Sequence, residues 1–227
     1  MAYSDVLLDK LMRCTWEGKT LSEMLSDESI ENLARNKSTD VRIEAARALA
    51  DNAFNRVTVD TLCRLAKDED PLVRLEAVDS LAVFSCRESF EMMQSALLDP
   101  DWLVRAYAAY GVAVIGKSIK PDHAKKILLH AEAKEAEPRT RAGIYEGLYI
   151  LGQENALEKL MGLFSLDDYR LQCAVLNALD EVLNDQNQST ILEFLGSISL
   201  SAHSAAVLDT LDRVQKRCGE RIARSQA

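Results

Sequence analysis

The chain has 227 residues, 28% charged and 6% aromatic, with a formal net charge of −9 and a sequence pI of about 5.0. Lys125-Lys126 and a mildly basic stretch at 213–224 are its only concentrations of positive charge, which argues against binding a phosphate backbone. No apolar run reaches the length of about 20 residues that a membrane span requires. The first residues, MAYSDV, lack the charged and apolar regions of a secretory leader, and five scattered cysteines without a Cys-x-x-Cys pair fit a cytoplasmic protein with reduced thiols.

In chain order, residues 3–25 predict one or two helices that close the amino end, and a helix at 29–36 follows. Next comes STDVRIEAARAL at 38–49, the first copy of a segment that returns as DPLVRLEAVDSL at 70–81 and DWLVRAYAAYGV at 101–112. It recurs as EPRTRAGIYEGL at 137–148 and more faintly as DYRLQCAVLNAL at 168–179, so the steps between first residues are 32, 31, 36 and 31. A fixed period of this size means stacked helical units that bury apolar faces against their neighbours. Count from the arginine of each copy, Arg42, Arg74, Arg105 and Arg141, with Gln172 in the fifth. Apolar or small residues then fall at −1, +3, +4 and +7, one stripe of an α-helix. An acid or serine four residues before the arginine stands at the N-cap, and Pro71 and Pro138 occupy the first helical position. A second helix is predicted before each copy, at 57–67, 89–98, 123–134 and 156–164. A degenerate sixth pair is predicted at 186–200 and 204–222. No useful β-alternating segment and no Pro/Gly/Ser-rich linker interrupts the series, so the expected fold is an all-α solenoid of about six antiparallel helix pairs. It is expected to form a single domain over 1–227: an amino-terminal cap at 1–25, regular repeats at 26–184 and a degenerate end at 185–227.

The pattern Asp-x-x-Val-Arg-x-x-Ala-x-x-x-Leu resembles the HEAT repeat, in the short form of about 30 residues found in phycobilisome-lyase-like proteins. The resemblance covers roughly 26–184. It implies a superhelix whose second helices line a concave face, and it implies that the arginine column is structural, each guanidinium tying the turns of its own and adjacent repeats. Arg's rigid fork suits such ties. The fifth copy departs from the pattern, with Gln172 in the arginine position.

No catalytic constellation appears. His123, His130 and His203 lack the spacing of a helical metal site, and the His-Glu dipeptides of HEAT-repeat hydroxylases are absent. There is no Gly-x-Ser-x-Gly and no phosphate loop. HEAT-like alkylbase glycosylases need a basic field that this chain lacks. Catalytic residues, metal ligands and cofactors are therefore all assigned as none. Cys173 falls on the side of its helix away from the stripe, an accessible position.

The informative positions are those opposite the stripe. At +2 they are Glu44, Glu76, Tyr107, Gly143 and Ala174; at +5, Arg47, Asp79, Tyr110, Glu146 and Asn177. Tyr149 at +8 flanks the same surface, and Trp102 sits at a helix start. Tyrosines at +2 and +5 cannot both join the stripe. The candidate partner-binding face is thus Trp102, Tyr107, Tyr110, Tyr149, Glu44, Arg47, Glu76, Asp79 and Glu146: aromatic anchors inside a charged rim. The alternative is that these tyrosines only fill space between helices. The functional expectation is a non-enzymatic solenoid that binds a basic protein, as an adaptor or as an inhibitor or immunity protein masking a bacterial toxin. The alternative, drawn from the resemblance, is a bilin lyase or chaperone-like subunit. The identity of the partner and the oligomeric state are left open.

Overall fold

The computed structural model describes residues 27–51, 54–199 and 203–225. Among the described residues the chain forms twelve α-helices and one 3-10 turn, without a strand. The cap expected over 3–25 lies outside the described residues. The chain falls into two compact units, Met1–Pro121 and Asp122–Ala227.

The described part of the first unit contains α1 (Asp27–Leu33), α2 (Thr39–Ala50), α3 (Arg56–Leu65), α4 (Pro71–Leu81), α5 (Arg87–Ala96) and α6 (Trp102–Ile119). Here α2 packs on α4 and α4 on α6, while α3 packs on α4 and on α5, and α5 on α6. The repeated stripe is the core: Val41, Ala45, Ala46 and Leu49 are buried, as are Val73, Ala77, Val78 and Leu81, and Val104, Ala108, Ala109 and Val112. Small residues at +3 and, in two of these helices, at +4 leave room for the neighbouring helix at close range. Starts are marked as the sequence implies. Asp70 Oδ1 accepts from the Leu72 N–H at 2.8 Å, and Asp101 Oδ1 from Leu103 at 2.8 Å. Ser38 makes no side-chain cap; its own N–H donates to Asn36 Oδ1 instead. The last helix, α6, runs 18 residues where α4 has 11.

The second unit contains α7 (Pro121–Lys134, whose first residue closes the first unit), α8 (Pro138–Ile150), α9 (Asn155–Gly162), a 3-10 turn at Leu163–Ser165, α10 (Tyr169–Glu181), α11 (Gln188–Ser197) and α12 (Ala205–Ser225). Helix α8 packs on α9 and α10, and α10 packs on α12. The long α6 and the 14-residue α7 absorb the 36-residue step seen between the third and fourth copies. Thr140, Ile144, Tyr145 and Leu148 continue the stripe in α8, and Leu171, Val175, Leu176 and Leu179 in α10. Gly152 ends α8 at φ 78°. Its N–H reaches the Tyr149 carbonyl while the Gln153 N–H reaches that of Leu148, both at 2.9 Å, the paired bonds of a Schellman end that favours glycine. The predicted helix 156–164 breaks into α9 and the 3-10 turn, which buries Phe164 against Phe194 edge-on at 5.7 Å. Helix α11 starts at 188 rather than 186 because Asn184 and Asn187 tie the preceding turn: Asn187 Oδ1 accepts the Asn184 N–H, and Asn184 Oδ1 accepts those of Gln186 and Asn187.

Candidate functional site

The arginine column lies between helices. Arg42 grips Asp68 through Nε and Nη2, both at 2.8 Å, and gives Nη1 to the carbonyls of Asn36 and Lys37. One repeat on, Arg74 grips Asp99 at 2.8 and 2.9 Å and bonds the carbonyls of Asp68 and Glu69. Arg105 bonds the carbonyls of Asp99 and Pro100, and Arg141 that of Glu135 at 2.9 Å. Burial desolvates Asp68 and raises its pKa, but Arg42 and the Asp70 N–H overcome this, so its carboxyl titrates below the ordinary range. In the fifth copy Gln172 keeps the carbonyl ties, to Phe164 at 3.3 Å and Leu166 at 3.2 Å. An amide replaces the guanidinium and the carboxylate pair is gone.

The face opposite the stripe in the first unit is built by α2, α4 and α6. On α2, Arg47 gives Nη1 to Glu44 at 2.7 Å and reaches across to Glu76 of α4 at 3.0 and 3.1 Å. Arg47 thus neutralises part of the acidic rim from within. Asp79, exposed one turn further along α4, has no ion pair among the described residues; desolvation first and the Glu76 charge second raise its carboxyl, and Arg47 pulls it back. Tyr107 is exposed at 39% and Tyr110 is half-buried, as is Trp102 at the start of α6. Two residues past the end of α4, Val83 is exposed.

Residues 26–113 match the family model described as HEAT repeats. The HEAT repeat is a protein-interaction fold, whose stacked helices present extended binding surfaces. No curated protein matches the chain. Among solved structures, the complex of CpcE and CpcF of phycocyanin lyase from a Nostoc species is 15% identical, covering 86% of this chain and 95% of that one with a TM-score of 0.46. Two engineered proteins are similar at 18% and 20% identity, each covering 86% of this chain and 96% and 98% of theirs, with TM-scores of 0.41.

The second unit carries the other two candidates on α8. Glu146 is half-buried, and among the described residues no hydrogen bond reaches it; desolvation first and the Glu181 charge second push its carboxyl up to about 8. Tyr149 is half-buried, and its hydroxyl accepts from Asn187 Nδ2 at 3.0 Å, which ties it to its own unit. Gly143, placed opposite the stripe by the periodicity, is buried: without a side chain it projects nothing past its neighbours. Cys173 is not an open thiol. It is half-buried, and the Thr210 hydroxyl of α12 donates to its sulfur at 3.7 Å. Burial, with the neighbouring Cys86, pushes the Cys63 thiol up to about 11 and keeps it protonated at neutral pH.

Sequence reasoning missed a buried junction in the second unit. Asp180 of α10 is 2% exposed, and one of its oxygens takes Arg213 at 2.9 Å and Arg217 at 2.6 Å, both from α12. Part of the basic stretch is therefore spent on holding α12 in place. Among the described residues no three His, Cys, Asp or Glu side chains gather into a metal-binding group, and no helix is long and apolar enough to cross a membrane.

Proposed function

We propose that this protein is a non-enzymatic binding module that takes a basic protein partner on the face formed by α2, α4 and α6. Its sharpest form is an inhibitor or immunity protein masking a basic partner such as a bacterial toxin. The observation that carries the reading is the exposure of Tyr107 on the helix face that also carries Glu44, Glu76 and Asp79, an acidic row that among the described residues Arg47 pairs with in part. An exposed aromatic costs little entropy to immobilise in an interface, and acids around it steer a basic surface into contact. The HEAT repeats across residues 26–113 support the reading, because that fold serves protein interaction. Within the second unit, Glu146 and Tyr149 of α8 are proposed as partner contacts of their own.

The test is capture of partners from the source cell on the immobilised chain, identification by mass spectrometry, and affinity measurement with the purified partner. Tyr107→Ala and Tyr110→Ala are expected to weaken binding by about 2 kcal/mol if either is an anchor. Glu76→Lys with Asp79→Lys is expected to slow association, with an effect that shrinks as salt rises. A partner that is acidic, or whose affinity ignores all four substitutions, would overturn the proposal.

A further inference from the structure

The Asp180 junction is built unlike the arginine ties of the first unit. Arg42 and Arg74 each take one carboxylate and use both of its oxygens. Asp180 presents one oxygen, Oδ2, to two arginines, Arg213 at 2.9 Å and Arg217 at 2.6 Å. Its other oxygen, Oδ1, is buried and has no hydrogen-bond partner. Docking α12 alone needs one arginine gripping both oxygens, which leaves no buried acceptor empty. The second guanidinium is surplus to that task.

The outer side of the junction is open. Arg213 and Arg217 lie one turn apart on the same face of α12. The Asp180 side chain is 2% exposed, while theirs are 49% and 55% exposed. Arg213 spends Nη1 on Asp180 and Nη2 on the Asn177 side chain, and Arg217 spends Nη1 alone. Among the described residues, the Nε of each and Nη2 of Arg217 make no hydrogen bond, and no second acid stands within ion-pair distance of either. Two guanidinium groups on one oxygen repel each other, and the single carboxylate offsets only one of their charges. We infer that Arg213 and Arg217 form a seat for one oxyanion, a carboxylate or a phosphate group. It supplies the missing negative charge and accepts from both forks at once. One uncompensated charge suits a single such group and not a phosphate chain. The seat lies within the second unit and goes beyond the reading of the α2, α4 and α6 face, which stands or falls without it.

The experiment uses the full chain, isotopically labelled, and follows backbone amides and arginine Nε–H groups by NMR near neutral pH. The probes are inorganic phosphate and acetate, with chloride at matched ionic strength as the control. Phosphate and acetate are expected to give saturable shifts centred on Arg213 and Arg217, and chloride none there. Tighter binding of phosphate assigns the seat to a phosphate group, and the reverse order assigns it to a carboxylate. Arg217→Gln is expected to weaken the tighter probe about tenfold, the loss of one charge-assisted set of bonds. Lys216→Gln removes an exposed charge from the same turn and is expected to weaken it less than about twofold. Shifts that rise linearly with every salt, shifts centred elsewhere, or equal weakening by Lys216→Gln and Arg217→Gln would each overturn the seat. The backbone amides of α10 and α12 report whether Arg217→Gln leaves α12 docked. If it does not, the wild-type titration against chloride and the Lys216→Gln variant decide.

Discussion

Replacing Arg74 by alanine removes four hydrogen bonds: two to Asp99 and two to the carbonyls of Asp68 and Glu69. The Arg74 and Asp99 side chains are only 12% and 8% exposed, so solvent replaces little of what is lost. Asp99 would keep one partner, the Asp101 N–H at 2.8 Å. Breaking a buried ion pair from one side typically costs about 3–5 kcal/mol because the remaining charge stays desolvated. The retained N–H and the residual exposure place Arg74→Ala at the low end, about 3 kcal/mol. The assay is urea unfolding followed by circular dichroism on Arg74→Ala, Asp99→Asn and the double variant. The double variant is expected to be less destabilised than the sum, with a coupling of about 2 kcal/mol. Arg74→Lys keeps the charge and loses the fork, so it is expected to fall between wild type and alanine. A cost for Arg74→Ala below about 0.5 kcal/mol, the range of an ordinary surface change, would refute the claim that this column ties one helix pair to the next.

Glu146 gives a pH prediction. Its folded carboxyl is raised to about 8, so the folded chain holds that proton more tightly than the unfolded one. Its favourable contribution is complete below the ordinary glutamate range and is lost as pH rises through about 8. Glu146→Gln should therefore match wild type near pH 5 and exceed it by about 1–2 kcal/mol near pH 9, a fraction of the full linkage because relaxation and water entry soften the desolvation of the ionised carboxyl; thermal melts whose difference stays constant between the two pH values would sink this. At Gly111, an added Cβ would collide with Met93 Sδ, and Met93 is fully buried. Gly111→Ala should cost a net amount of about 1 kcal/mol, overpacking outweighing the helix propensity it gains. The same change in a Met93→Ala background should become stabilising, as chemical denaturation would reveal. Tyr107→Ala should cost less than about 1 kcal/mol of stability, since the ring is partly solvated; a much larger drop in melting temperature would make the ring part of the core.

The helical pairs and their buried stripe were legible in the sequence because they depend on local periodicity. Positions −1, +3, +4 and +7 must face the same way on any α-helix, and five copies in register leave no other face to bury. The caps were legible for the same local reason, except at Ser38, where Asn36 took the neighbouring N–H and the serine side chain stayed out. What the repeat could not reveal was which charges would meet. Glu44, Arg47 and Glu76 look like three independent rim residues along the chain, yet packing α2 against α4 makes them one cluster and leaves Asp79 as the acid without an ion pair. Tyr149 looked equivalent to Tyr107 and Tyr110 until Asn187, 38 residues away, claimed its hydroxyl. Cys173 looked open until α12 covered it. Glu146 reads as a solvated rim acid along the chain, yet the protein packed around it, with the Glu181 charge, raises its carboxyl. Periodicity fixes the direction of a side chain relative to its own helix; the distance to a neighbour, the desolvation and the partner depend on helices far along the chain, and those were decided by the tertiary structure alone.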